Sequence, residues 1–158
     1  MATTSSGAGT LKTLLIMHKA MLAGQLIFAA VAFYLVYSKS FPFQNLQELD
    51  RILQVVALVC SVGGFYTGLL LFKKRLIAAR EIQPDSKGKL AVYRQACILQ
   101  WSLIEGPCLF VIICFLLTHN YAFLALAGVL ILIFTMMAPS KMKIAFQLQI
   151  SEEEVNEL

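Results

Sequence analysis

Four long runs of hydrophobic residues dominate the chain, and each run is continuous rather than alternating. They occupy residues 20–37, 52–72, 95–118 and 121–138, here called segments 1 to 4. A bilayer core about 30 Å thick needs roughly 20 apolar residues in a helix, and each segment meets or approaches that length. A transmembrane β-barrel requires alternating strands of about 10 residues, which this pattern lacks. We therefore expect an all-α integral membrane protein, a bundle of four helices.

The polar stretches at the two ends of the chain border a single membrane domain. Residues 1–10 are small and polar, and we expect them to be disordered. The membrane domain extends over residues 11–150, and residues 151–158 form an acidic tail. Only His119 and Asn120 separate segments 3 and 4. Such a short connection predicts that these two segments are antiparallel neighbours.

Lysine and arginine are distributed unevenly among the connections. Of the 13 basic residues, all except Lys39 and Arg51 lie before segment 1, between segments 2 and 3, or after segment 4. The positive-inside rule then places both termini and the connection between segments 2 and 3 in the cytoplasm. We expect a multi-pass protein of the cell inner membrane.

Composition excludes several other classes of protein. The chain is 59% hydrophobic and 14% charged, with a mean hydropathy of +0.76, whereas soluble domains carry about 25% charged residues. The net charge of +4 does not indicate nucleic acid as a partner, because the basic residues flank apolar segments. Four cysteines lie in apolar runs without CxxC spacing, and we interpret them as reduced packing residues: Cys60, Cys97, Cys108 and Cys114.

The sequence contains no pattern typical of catalysis or cofactor binding. It lacks HExxH, GxSxG, P-loop and GxGxxG motifs, and no His–carboxylate pair has metal-ligand spacing. We expect His18 and His119 to lie at the two membrane interfaces in contact with water. The chain is therefore not predicted to be an enzyme, nor to hold a cofactor or a metal.

Glu105 is the only acidic residue inside any segment, and it lies near the middle of segment 3. A charged carboxylate at that depth costs at least a few kcal/mol, so the group stays protonated, finds a partner or faces water. Ser102 lies on the same helical stripe. Pro107 lacks an N–H and leaves the carbonyl oxygen of Leu103 without its helical hydrogen bond, beside the carboxyl. We interpret Glu105 as a functional residue, with a structural hydrogen-bonding role as the alternative.

Four polar residues are predicted to form a layer on the cytoplasmic side of Glu105. Counted inward from the cytoplasmic ends at 1.5 Å per residue, all lie about 8–9 Å deep: Gln25, Gln100, Tyr66 and Thr67. The alternative is that they only form hydrogen bonds between helices. Segment 2 also contains three glycines, which most often mark close helix contact: Gly63, Gly64 and Gly68.

Residues 80–117 carry a series of motifs that together resemble a known family. In order they are Arg80, Gln83-Pro84-Asp85, Gly88-Lys89, Ser102-Leu-Ile-Glu105-Gly106, Leu109-Phe110 and Cys114. This stretch resembles the proteolipid subunit c of rotary ATP synthases, a helical hairpin with a cytoplasmic Arg-Gln-Pro loop and an ion-carrying carboxylate on its second helix. The resemblance implies that Glu105 carries the ion. It also implies that Arg80, Gln83 and Pro84, followed by Asp85, belong to the cytoplasmic loop. The whole chain looks like a four-span bacterial membrane protein.

Together these patterns predict a small membrane protein in which Glu105 binds or relays a proton or a monovalent cation. We expect a homo-oligomer, because a lone bundle of 158 residues has little internal volume for a pathway. The alternative is a non-transporting accessory or assembly subunit of a larger membrane complex, docked through the basic connection and the acidic tail. Membrane lipid is an expected partner in either case, since basic residues near the surface attract anionic lipid.

Overall fold

The computed structural model of the chain describes residues 7–39, 47–81 and 86–151. Five helices follow one another: α1 (Gly7–Tyr37), α2 (Gln47–Glu81), α3 (Ser86–Thr118), α4 (Tyr121–Met136) and α5 (Lys141–Leu148). No strand occurs within these described ranges, and the predicted all-α class is confirmed. Helices α1, α2 and α3 are each long and apolar enough to cross a membrane. Helices α4 and α5 meet at a 74° bend and count as a further span only if taken together.

The helices extend well beyond the hydrophobic segments. Helix α1 begins at Gly7, so residues 7–10, expected to be disordered, are helical. Helix α2 continues to Glu81 and α3 begins at Ser86, so most of the basic connection is helix rather than loop. Lysine, arginine, alanine and glutamine favour helix as strongly as most apolar residues do, which is why a fall in hydropathy does not mark a helix end. Residues 1–6, Gln83, Pro84, Asp85 and 152–158 lie outside the described part of the chain.

Helix α3 is the centre of the bundle and packs against α1, α2 and α4. Two clusters of buried apolar side chains lie along it. One surrounds Trp101 and Phe134, and the other surrounds Phe115 and Phe123. Three of the four cysteines are buried as expected, whereas Cys60 lies exposed on α2.

Helix α1 contacts the bundle through a narrow stripe. Leu11, His18, Gln25 and Ala32 are buried and recur every seven residues, so they lie along one line of the helix. Large apolar side chains on its other faces, such as Ile27, are exposed. Helix α1 therefore presents a broad apolar surface to its surroundings, as expected of a helix in contact with lipid.

The connection between α3 and α4 is as tight as the sequence predicts. His119 adopts the left-handed conformation, with φ of 57°. Asn120 caps α4, since its Oδ1 accepts a hydrogen bond from the N–H of Ala122 at 2.9 Å. Its Nδ2 donates to both carboxylate oxygens of Asp50, at 2.8 and 3.1 Å. This bond joins the start of α2 to the α3–α4 turn.

Helix α5 crosses the opposite end of the bundle. Ser140 caps its first turn by accepting a hydrogen bond from the N–H of Lys143. The ammonium of Lys143 donates to the carbonyl oxygens of Met136 and Ala138, at 3.1 and 3.0 Å, and so pairs carbonyls at the end of α4. The buried face of α5 packs into the cluster around Trp101 and consists of Ile144, Ala145 and Leu148.

Candidate functional site: the polar residues between α1 and α3

Glu105 lies half-buried on α3, at the edge of the face that meets α1 and α4. Trp101 and Cys108 are four and three residues away and therefore lie on the same side of the helix. The Sγ of Cys108 is 3.9 Å from the carbonyl oxygen of Ala127 on α4. Trp101 packs edge-on against the ring of His18 on α1, with 5.0 Å between ring centroids. These apolar neighbours disfavour the charged form of the Glu105 carboxyl.

Gln25 is the second polar group on this side of α3. Its side chain is fully buried, and neither its Oε1 nor its Nε2 has a hydrogen-bond partner. An unpaired buried amide costs about 1–3 kcal/mol. Most buried polar atoms in native proteins are paired, so this exception calls for a physical explanation.

The helix register places Gln25 close to the level of Glu105. Helices α1 and α3 run in the same direction, because the early residues of both lie in one apolar cluster and the late residues in the other. Gln25 is seven residues beyond His18, and Cys108 is seven beyond Trp101, the residue that His18 contacts. Glu105 precedes Cys108 by three residues. The amide and the carboxyl are thus about one helical turn apart along the bundle.

His18 is buried at 2% exposure, although the sequence predicted contact with water. Its Nε2 lies 3.0 Å from the carbonyl oxygen of Phe134 and donates to it. The ring also stacks on Phe134, with 4.6 Å between centroids. The signal that could have located it is the seven-residue spacing with Leu11 and Gln25, which puts both polar side chains on the buried stripe of α1.

Gln100 lies on another side of α3. It is buried where α2 approaches, since a Cβ added at Gly68 would stand 3.6 Å from its Cγ. Gln100 and Glu105 are five residues apart, which corresponds to about 140° around the helix axis. The structure therefore places Gln100 at the α2 contact and Glu105 toward α1 and α4.

The three predicted site residues with hydroxyl groups lie on exposed surfaces. Tyr66 is 61% exposed on α2. The hydroxyls of Thr67 and Ser102 donate to carbonyl oxygens four residues earlier in their own helices, at 2.6 and 3.0 Å. Ser102 lies one helical turn from Glu105 on α3 itself, and among the predicted site residues on the other helices Gln25 is the one on the α1 side of α3.

The carbonyl oxygen of Leu103, freed by Pro107, faces α2. A Cβ built on Gly64 would collide with this oxygen and would lie 2.9 Å from the Cγ of Pro107. Leu103 and Glu105 are two residues apart, so they point to nearly opposite sides of the helix. The freed carbonyl therefore serves the α2–α3 contact rather than the carboxyl. Gly63 has nothing within 4 Å of an added Cβ, and of the glycine pair only Gly64 makes the predicted close contact.

Arg80, the described part of the predicted cytoplasmic loop, is a half-buried residue in the last turn of α2. Its Nε donates to the carbonyl oxygen of Gln147 at 2.8 Å. The hydroxyl of Tyr93 donates to the side-chain oxygen of the same glutamine at 2.9 Å. These bonds form a polar junction between α2, α3 and α5.

No group of three or more His, Cys, Asp or Glu side chains that could hold a metal ion occurs in the described part of the chain. No known protein family, curated protein or solved structure matches the sequence or the fold. The described part of the chain is all-helical, and α1, α2 and α3 have the length and composition of membrane-spanning helices.

Proposed function

We propose that this chain is a four-span inner-membrane protein that binds or relays a proton or a monovalent cation at Glu105. The observation that carries the proposal is a buried amide without a partner, Gln25, whose level along the bundle is about one helical turn from that of the half-buried carboxyl of Glu105. Both groups are costly in an apolar setting. A proton or a cation on Glu105 removes the charge, and the Oε1 of Gln25 is an oxygen ligand of the kind that hard cations take.

The proposed topology counts α4 and α5 together as the fourth span, with both termini in the cytoplasm. In its support, the hydrogen bond of Arg80 to Gln147 joins the basic end of α2 to α5, the short helix that carries Lys141 and Lys143, at one end of the bundle, as the positive-inside rule leads us to expect. The resemblance of residues 80–117 to subunit c supports an ion-carrying role for Glu105. We further propose a homo-oligomer, in which neighbouring copies enclose the carboxyl.

Carbodiimide labelling of the purified protein in mild detergent tests the proposal. Dicyclohexylcarbodiimide reacts with a protonated carboxyl in an apolar site, so intact-mass measurement should find a single adduct at Glu105. Its rate should fall as pH rises, or when sodium is added at fixed pH. The variant Glu105→Gln should remain folded, lose the adduct and lose pH- or cation-dependent flux in liposomes.

The matched control is Glu81→Gln, which removes an exposed carboxyl from the end of α2 and should leave the adduct unchanged. A folded wild-type protein that is not labelled at any pH would overturn the proposal. So would a labelling rate that responds neither to pH nor to sodium.

The second candidate function is a non-transporting accessory or assembly subunit. In such a subunit, helices of the partner complex would replace lipid on part of the apolar surface of α1 and α2, on which Ile27, Tyr34 and Val59 are each more than half exposed. Co-purification of stoichiometric partners at native expression would support this candidate. A uniform homo-oligomer that is labelled at Glu105 would rule it out.

A further inference from the structure

An open cavity of about 420 Å³ lies at the α5 end of the bundle, between α2, α3 and the α4–α5 corner. Leu69, Phe72 and Leu76 of α2 form one apolar wall, and Trp101 of α3 belongs to the other. Ligand cavities of this size are typically apolar with a few placed polar groups. The lining of this cavity shares Trp101 and Gln100 with the surroundings of the candidate site but includes neither Glu105 nor Gln25.

Three positively charged side chains line this cavity, and no acidic residue is among its described lining residues: Lys73, Arg80 and Lys143. Two of the three are held in position. Arg80 donates through Nε to the carbonyl oxygen of Gln147, and Lys143 donates to two carbonyls at the end of α4. Because these two cationic side chains are already held in position, they lose little conformational freedom when an anion binds. No carboxylate among the described lining residues competes for them.

The rim of the cavity also includes exposed apolar side chains. Met136 and Phe146 both line the cavity and are 78% and 82% exposed. Large apolar groups exposed beside fixed positive charges match a ligand that is anionic at one end and apolar at the other. A soluble anion has no apolar part that could pack against these rim side chains.

We propose that the cavity binds an anionic glycerophospholipid from the cytoplasmic leaflet. The phosphate lies among Lys73, Arg80 and Lys143, where the guanidinium of Arg80 supplies the planar donors that suit phosphate oxygens. An acyl chain follows the wall of Leu69 and Phe72 and leaves past Met136 into the bilayer. General attraction of basic residues to an anionic surface needs none of these contacts.

Native mass spectrometry of the full-length protein can test this with phosphatidylglycerol and with phosphatidylcholine of the same acyl chains. The wild-type protein should retain phosphatidylglycerol in preference. The double variant Lys73→Gln/Arg80→Gln should weaken phosphatidylglycerol binding roughly thirtyfold. The control Lys74→Gln/Arg75→Gln removes the same charge from neighbouring exposed residues that do not line the cavity, and should have a much smaller effect.

A second pair of variants leaves Arg80 and its hydrogen bond unchanged, so that a loss of lipid binding cannot be caused by misfolding at Arg80. Lys73→Glu changes only an exposed side chain and should weaken phosphatidylglycerol binding more than Lys74→Glu does. Equal losses within each pair would overturn the proposal, because they would show general surface attraction. Displacement of bound lipid by millimolar inorganic phosphate would also overturn it, because the site would then be one for a soluble anion.

Discussion

The two sides of α3 are held to their neighbours by different means. On one side α2 approaches through Gly64, whose backbone lies directly against the carbonyl oxygen of Leu103. On the other side α1 inserts whole side chains, and two of the four residues on its buried line are polar, His18 and Gln25. Helix α2 comes close to α3 because Gly64 has no side chain at the contact, whereas α1 packs by burying polar side chains.

The difference matters because lipid gives helices no hydrophobic reason to associate. Close packing and hydrogen bonds must supply the attraction. The α2 contact uses close packing. The carbonyl oxygen of Leu103, which has no helical hydrogen bond because Pro107 lacks an N–H, lies at this contact. The α1 contact pairs His18 with Phe134 but leaves Gln25 unpaired. A ligand or a rearrangement that pairs the amide of Gln25 would therefore stabilise the protein on the α1 side. On the α2 side, no buried side chain of the described residues lacks a hydrogen-bond partner.

The largest effect is expected from Gly64→Ala. The added Cβ meets a backbone oxygen, which cannot rotate away as a flexible side chain would. Overpacking of this kind costs about 1–3 kcal/mol, so the free energy of unfolding should fall by that amount. Thermal unfolding followed by circular dichroism in mild detergent measures it.

The adjacent glycine provides a matched control for this substitution. A Cβ at Gly63 meets nothing within 4 Å, so Gly63→Ala should be neutral or should stabilise the helix by up to about 1 kcal/mol. Equal destabilisation by the two substitutions would mean that α2 does not approach α3 through Gly64.

An effect of opposite sign is expected from Gln25→Leu. The substitution keeps a similar side-chain volume and removes the unpaired amide, so the protein should be stabilised by about 1 kcal/mol. The control His18→Leu removes a paired group and should destabilise instead. If Gln25 is a cation ligand, the stabilised variant should also lose sodium protection of Glu105 against carbodiimide. Destabilisation by Gln25→Leu would show that the amide has a partner in the folded protein.

The sequence predicts where the helices and the tight turn lie along the chain. Continuous hydrophobic runs identify the helices, and the two residues between segments 3 and 4 give the tight turn at His119 and Asn120. Counting 1.5 Å per residue predicts one common depth for Gln25, Gln100 and Tyr66. The contact of His18 with Trp101 instead makes Gln25 level with Cys108, eight residues beyond Gln100 along α3. Depth does not give direction around a helix, and these three side chains lie on different sides of the bundle or on its surface.

Direction around a helix is hard to predict here because the segments are apolar on nearly every face. In a soluble protein, polar residues mark the exposed side of a helix, but lipid allows apolar residues there as well. The informative residues are then the few polar ones at regular spacing, and in α1 these are His18 and Gln25. The carbonyl of Leu103 gives no such signal, since only the partner helix shows that it faces Gly64.

The smallest effects are expected from the exposed hydroxyl residues. The hydroxyls of Thr67 and Ser102 donate hydrogen bonds to carbonyl oxygens of their own helices. Thr67→Val and Ser102→Ala should therefore change the free energy of unfolding by less than about 0.5 kcal/mol. Neither should alter carbodiimide labelling of Glu105, because Thr67 is exposed on α2 and the hydroxyl of Ser102, although one helical turn from Glu105, already donates to the carbonyl oxygen of Ile98. If either variant changed the labelling rate as much as Gln25→Leu does, a polar path along the surface of α2 and α3 would reach the carboxyl. The two sides of α3 would then share one function.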